Sequence, residues 1–403
     1  MRLLLTIVLS LLITAGVYAQ PGEQFYAPSA SFVVTASGDS NDLTAFDNLC
    51  LDANGQCSLR AAVQQANATG GSDVIGFSLQ SPAITLTLGE IVVSQSVSIQ
   101  GPGARNLIVQ RDASAAAARI FNVQGPDGTV VDISGLSIAG GKTTGLVFGG
   151  GVLIARANTL NLTEVTLRDN WSEIGGGAFN YGTLNLFNST VSNNTANSEG
   201  AGLDNQANAA INIVNSTVSG NKATNFGGGV MNFGRVTLNN ATVTGNSAGR
   251  YGGGLYNSTA TSALRNTIIA GNTATNGADA YGSGHTSLGS NLIGNSAGTL
   301  SFNAPASGDR IGTAAAPINA QLGALKNNGG QTDTHELSAS SPAIDAGDNC
   351  VVTNGCDISP FSSISSDQRG ANYSRPTDGN GDGTSTIDMG AFEFPSQIIT
   401  CTY

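Results

Sequence analysis

The sequence predicts an all-β protein, a right-handed parallel β-helix of ~25-residue coils with a short N-terminal capping helix. Three observations predict it. Glycine clusters at Gly149-Gly150-Gly151, Gly175-Gly176-Gly177, Gly200-Ala201-Gly202, Gly227-Gly228-Gly229 and Gly252-Gly253-Gly254 begin 26, 25, 27 and 25 residues apart. A second motif keeps phase with them, led by Asn188, Asn215, Asn240 and Asn266 at steps of 27, 25 and 26. Between the motifs, short β-branched stretches alternate, as in Ile211-Asn212-Ile213 and Val236-Thr237-Leu238. A unit this short is below the ~30 residues of a βαβ element, and two motifs in phase mark a solenoid.

Stacking accounts for the residue choices. Corresponding residues of successive coils lie ~4.8 Å apart, the spacing of paired strands. Leu160, Leu184, Ile211 and Val236 then form one inward column, and Leu162, Leu186, Ile213, Leu238 and Leu264 the next. Leu167, Val191, Val218, Val243 and Ile269 form a third. Each buried aliphatic contributes ~1.5–3 kcal/mol, so the core grows coil by coil. Three asparagine sets are predicted as amide ladders along the axis: Asn188/215/240/266, Asn180/205/232/257 and Asn170/194/221/246/272.

The flanks follow in chain order. Met1-Arg2, an apolar run from Leu3 to Ile13, and Val17-Tyr18-Ala19 read as a secretory signal over 1–19. Residues 20–72 form an N-terminal segment holding Cys50 and Cys57. Within it, Leu59, Ala62, Val63 and Ala66 fall at helical spacing over Ser58 to Ala68, where a cap for the open end of a solenoid belongs. The β-helix is expected over 73–325, about nine coils, and an acidic segment over 326–403. Its earliest strands are Ile84–Leu88, Ile91–Val93, Val97–Ile99 and Leu107–Val109, separated by turn residues.

Composition narrows the function classes. Gly makes up 54 of 403 residues, charged residues are 11%, and the net charge of −11 argues against nucleic acid as a partner. No stretch after the signal is apolar enough to span a bilayer as a helix, so the mature chain is not expected to be an integral membrane protein. In an oxidising compartment Cys50 with Cys57, and Cys350 with Cys356, are most simply local disulfides, leaving Cys401 over. Sequons at Asn188, Asn215 and Asn240 follow from the ladder and its neighbouring Ser-Thr.

Cys57-Ser-Leu-Arg-Ala-Ala62 resembles the CSLREA motif of bacterial surface proteins, with Ala61 in place of the motif's Glu. That change removes the return acceptor of a capping box from Ser58. Leu322-Gly-Ala-Leu-Lys-Asn-Asn-Gly-Gly-Gln331, Thr334-His335, Ser341-Pro-Ala-Ile-Asp-Ala-Gly347, Asp367-Gln-Arg-Gly370 and Asp388-Met-Gly-Ala-Phe-Glu393 resemble the choice-of-anchor Q domain. The central coils are similar to polymorphic outer-membrane-protein repeats. Together the resemblances span nearly all of the mature chain. They imply a right-handed β-helix displayed at, or released from, a bacterial surface, with no enzymatic activity. Only ten residues follow Glu393, and none forms an apolar, charged-tail anchor, which favours release or attachment through another protein.

Three kinds of chemistry are candidates. Asp378-Gly-Asn-Gly-Asp-Gly383 opens like a calcium loop, so Asp378, Asn380, Asp382 and Asp388 are the candidate metal ligands and Ca2+ the candidate cofactor. Met389 stands where the bidentate Glu should be, and a polar turn explains the same residues. Residues 331–393 hold ten acids and two arginines, which favours a divalent ion. Catalysis on polysaccharides needs converging carboxylates. The acids of the repeats are sparse, namely Glu164, Asp169, Glu173, Glu199, Asp204 and Asp279. Only Asp204, Lys222 and Arg235 are loosely placed for a lyase, and His285 reads as a surface turn residue. No catalytic residue is assigned.

Binding is the third kind. With Val152, Ala178, Leu203, Val230 and Leu255 inward, the period of two sends Leu153, Phe179, Asp204, Met231 and Tyr256 outward. Phe179, Tyr181, Met231, Phe233 and Tyr256 are the candidate ligand-binding residues, a row suited to sugar rings or a protein surface. The function expected is a secreted or surface-associated, adhesin-like, non-catalytic β-helix whose partner is a polysaccharide or a surface protein. A calcium-assisted polysaccharide lyase or pectin-type hydrolase, and a passive spacer, are the alternatives.

Overall fold

Each coil lays down three short strands in a fixed order, and four of the coils add a fourth. In the coil that begins at Val152 they are Val152–Ile154, Thr159–Thr163, Thr166–Arg168 and Trp171–Ile174. The computed structural model describes residues 31–396 apart from 70, 300, 301, 303–305, 358, 361 and 362; the signal segment and Cys401 lie outside the described residues. Each strand pairs in parallel with its counterpart one coil on, as Val152 with Ala178, Leu160 with Leu184, Leu167 with Val191 and Trp171 with Thr195. The result is a parallel β-helix of four sheets with eight, ten, ten and four strands, in the order in which one coil visits them. The eight strands of the first sheet mark eight coils rather than nine. The difference arises early, where coils take 30 residues from Ile91 to Phe121 and 31 from Phe121 to Val152.

All three aliphatic columns stand inside, in the register that the alternation requires. The first continues past Val236 into Ser262 and then His285. His285 is therefore no surface turn residue: it is 4% exposed and closes the column. Its Nε2 lies 3.2 Å from the Tyr281 carbonyl, which can only accept, so that nitrogen carries the proton. Nδ1 is left to accept from Ser262 Oγ at 2.8 Å and Asn257 Nδ2 at 3.1 Å. Burial pushes the His285 pKa down to about 4, which keeps the ring neutral.

Two amide ladders run unbroken. Asn180, Asn205, Asn232 and Asn257 donate Nδ2 to Oδ1 along the axis at 2.8–2.9 Å and end on His285. Asn170, Asn194, Asn221, Asn246 and Asn272 do the same at 2.9 Å, and Asn272 ends on Asp279 Oδ1 at 3.0 Å. In the latter, each acceptor oxygen also takes a backbone N–H from the neighbouring coil, so the buried amides are satisfied. The set led by Asn188 is different. Asn215 bonds Asn188 and Asn266 bonds Asn240, but Asn215 Oδ1 and Asn240 Nδ2 find no partner, so the ladder is broken into two pairs. What these four share is φ between 48° and 52°, a left-handed bend that Asn tolerates. An outer ladder of Asn212, Asn185 and Asn161, ending on Asp132, carries the same chemistry on the second sheet.

The described segments on either side of the coils close onto the helix. Leu59–Thr69 is α-helical and buries Leu59, Ala62, Val63 and Ala66. Ser58 Oγ accepts the Ala61 N–H, and Arg60 holds Asp39 and the carbonyls of Gly89 and Glu90. Cys50–Cys57 and Cys350–Cys356 are disulfides. Residues beyond Ala320 run back over the outside of the third sheet. There Gln368 bonds the hydroxyls of Thr190, Thr217 and Thr332, Asn266 bonds Asp348, and the Gly390 and Ala391 amides bond Asn266 O and Thr242 Oγ1. Ile268, Leu292, Leu337, Met389 and Phe392 form a second apolar cluster beneath this cover.

Candidate functional site: an exterior groove along the first sheet

The outer face of the first sheet carries one column that reads Asn122, Leu153, Phe179, Asp204, Met231, Tyr256 and Tyr281. Beside it runs a second column, Ile174, Glu199, Phe226, Tyr251 and Asn276, at the end of the preceding strand. The corner between them is the glycine cluster, whose first glycine has φ of 58–75° in every repeat from Gly149 to Gly277. At Gly252 a Cβ would stand 2.5 Å from the Tyr256 Cβ. The backbone therefore lies directly against the outward side chain, and two bulky columns sit side by side.

Toward the C-terminal coils those columns form a continuous aromatic floor. Phe226 stacks on Tyr251 at 5.7 Å, Tyr251 on Tyr281 at 4.6 Å, and Tyr256 meets Tyr281 edge-on at 5.2 Å. All four rings are half-buried, and the Arg250 guanidinium lies 5.6 Å from the Phe226 centroid. A smaller group of Phe148, Phe179 and Tyr181 lies on the N-terminal side. Between the two sits Asp204. It is fully buried; Gln206 donates to its Oδ1, and Oδ2 has no partner. Burial pushes its carboxyl well above the ordinary range, and Glu199 nearby adds to the rise. Glu199 is raised by burial as well.

The expected binding residues divide here. Tyr181 is exposed, and Phe233 and Tyr256 are half-buried. Phe179 and Met231 point outward yet are each 2% exposed, because the glycine corner and neighbouring side chains close over them. Phe226, Tyr251 and Tyr281, which the period-of-two reading passed over, supply most of the floor instead. The signal was present in the sequence: Phe226 and Tyr251 each stand immediately before a glycine cluster.

The other candidates separate. Asp204 lies on the first sheet, Arg235 on the second and Lys222 on the fourth, so they do not converge. Asp378, Asn380 and Asp382 share one turn, where Asp378 accepts the amides of Gly381, Asp382 and Gly383. Asp388 is buried, and its oxygens accept the amides of Asp345 and Phe394. Among the described residues no three His, Cys, Asp or Glu side chains gather as a metal-binding group.

No family model matches the chain, and no curated protein matches it. Among solved structures it is similar to the pectate lyase Pel9A, at 17% identity and a TM-score of 0.41, over 92% of this chain and 98% of that one. The two disulfides suit an oxidising compartment, and no helix among the described residues is long and apolar enough to cross a membrane.

Proposed function

We propose that this is a secreted or surface-associated, adhesin-like β-helix that binds polysaccharide along the first-sheet groove without cleaving it. The observation that carries the reading is the floor of Phe226, Tyr251, Tyr256 and Tyr281, four half-buried rings contiguous along the helix axis. Aromatic faces bury the apolar side of a sugar ring, and these four rings span three successive coils ~4.8 Å apart, two of them on the middle coil. Gln206 at the groove edge and the Tyr hydroxyls add hydrogen-bonding groups of the kind that orient a ligand. The test is retention of the purified chain on a panel of neutral and acidic polysaccharides, with the triple variant Phe226→Ala, Tyr256→Ala, Tyr281→Ala beside it. At ~0.5–1.5 kcal/mol per ring contact, the triple variant loses at least tenfold in retention. Undiminished retention by a folded variant would overturn the reading.

A second reading adds turnover at the same place. Its support is Asp204, buried beneath the groove floor with Oδ2 unpartnered and its carboxyl held toward the protonated form by burial and by nearby Glu199, the kind of perturbed pair found at reaction centres. New reducing ends on the panel, lost in Glu199→Gln, would establish it.

A further inference from the structure

We propose that Ser219 and His335 form a nucleophile–base dyad that cleaves short-chain carboxylic esters in the cleft between the third sheet and the C-terminal segment. This site is separate from the groove and does not depend on the reading given to it.

Ser219 ends the strand Thr217–Ser219, and since Val218 points inward its hydroxyl faces out. His335 arrives from the segment that folds back over that face, 116 residues later in the chain. Its Nε2 is 2.8 Å from Ser219 Oγ, and its Nδ1 is 2.7 Å from the carbonyl oxygen of Gly323. A carbonyl can only accept, so Nδ1 carries the proton. In the neutral ring Nε2 is then bare and accepts the Ser219 hydroxyl proton. Burial lowers the His335 pKa, which keeps the imidazole neutral and available as a base near pH 7. Ser219 and His335 thus hold the nucleophile–base geometry, with the Gly323 carbonyl orienting the ring. The other hydroxyls of the same contact region are used differently: Thr190 and Thr332 donate to backbone carbonyls, and Thr217 donates to Gln368.

Ser219 opens onto a cleft of about 710 Å³. Leu107 and Ile108 form an apolar part of its wall, and Asn193 and Gln331 a polar part. Its two arginines are already paired, Arg105 with Asp333 and Arg168 with Asp169. That leaves no free cation in the described wall to select a charged acid, which points to a small neutral acyl group on a polar alcohol. Ser219 Oγ attacks the ester carbonyl carbon while Nε2 takes its proton. The ester C–O bond breaks and the alcohol leaves with that proton. Water, deprotonated by Nε2, then releases the carboxylic acid and restores Ser219. Asn193 lines the same cleft, and its side-chain N–H2 is a donor available there to the developing oxyanion.

The test exposes the full chain to a fluorophosphonate probe and, separately, to p-nitrophenyl acetate, and maps any adduct by peptide mass spectrometry. The expected result is one adduct, on Ser219, with p-nitrophenol release abolished in Ser219→Ala. His335→Gln should slow labelling by roughly 10²–10⁴-fold, the usual share of a general base. Wild-type labelling needs no variant to fold. A folded wild-type chain with no adduct, or with its adduct on another residue, overturns the proposal. Neither result bears on polysaccharide retention by the groove.

Discussion

The outer faces of the first and third sheets start from the same rule and end in opposite states. On both, alternate residues of short parallel strands are sent outward. On the third sheet these are small and hydroxylated, including Thr190, Thr217 and Thr242, and all three are buried under the chain's own C-terminal segment. On the first sheet they are Phe179, Asp204, Met231, Tyr256 and Tyr281, with Phe226 and Tyr251 alongside, and part of that face stays open. Small hydroxyls let a covering backbone approach and bond. Bulky rings hold it off and leave apolar area for a partner.

The covered face should break most easily at Gln368. Its amide joins the hydroxyls of Thr190, Thr217 and Thr332 and the Asp333 carbonyl at a site 1% exposed. Gln368→Ala strands several of those groups at once, at ~1–3 kcal/mol for each one left buried without a partner. We expect a loss of ~2–4 kcal/mol in denaturant unfolding, with protease cleavage appearing first between residues 326 and 396. The same substitution on the open face, Tyr256→Ala, should cost less stability and should reduce polysaccharide retention instead. Equal stability losses would remove the distinction between the faces.

How much of this was legible in the sequence follows from how local each signal is. The inward columns and the ladder from Asn170 to Asn272 were readable, because period and residue type recur in every coil. The helix cap was readable from four apolar positions. The state of the outer faces was not. Thr190 reads as a solvent-facing strand residue until Gln368, 178 residues later, lies on it. Phe179 reads as exposed until the Gly175 corner is seen to pack against its Cβ. Asn188 misled in another way: its repeat suggested a ladder, while its φ of 50° shows that the backbone bend is what all four positions share.

A smaller effect sharpens the open face. Asp204 is buried, with Oδ2 unpartnered, and burial raises its pKa. The folded state therefore holds this proton more tightly than the unfolded chain does. The stability it contributes is fully present below the unfolded value of 3.8 and is lost as pH rises through the folded value. Asp204→Asn removes that loss and keeps an oxygen for Gln206. The variant should melt higher than wild type at pH 8, by an amount of order 1–3 kcal/mol for one buried, unpaired polar group. The gain should shrink toward pH 4. A gain that does not change with pH would mean the carboxyl is not titrating in the groove.

The smallest effect tells which sugars the groove takes. Arg250 sits over Phe226 and Tyr251 at 5.6 and 5.9 Å from their centroids, an exposed contact worth ~0.5–1 kcal/mol. Arg250→Ala should change stability by no more than that, since the rings also pack on one another. Its effect on retention depends on the ligand. A neutral chain gains access to bared ring faces, so its retention should hold or rise. An acidic chain loses the cation that stands over the Phe226 and Tyr251 rings, so its retention should fall at least twofold, and by more at low salt, where exposed charges are least screened. Retention of both classes falling together would place Arg250 in the ligand contact itself, with the guanidinium rather than the rings as the recognising group.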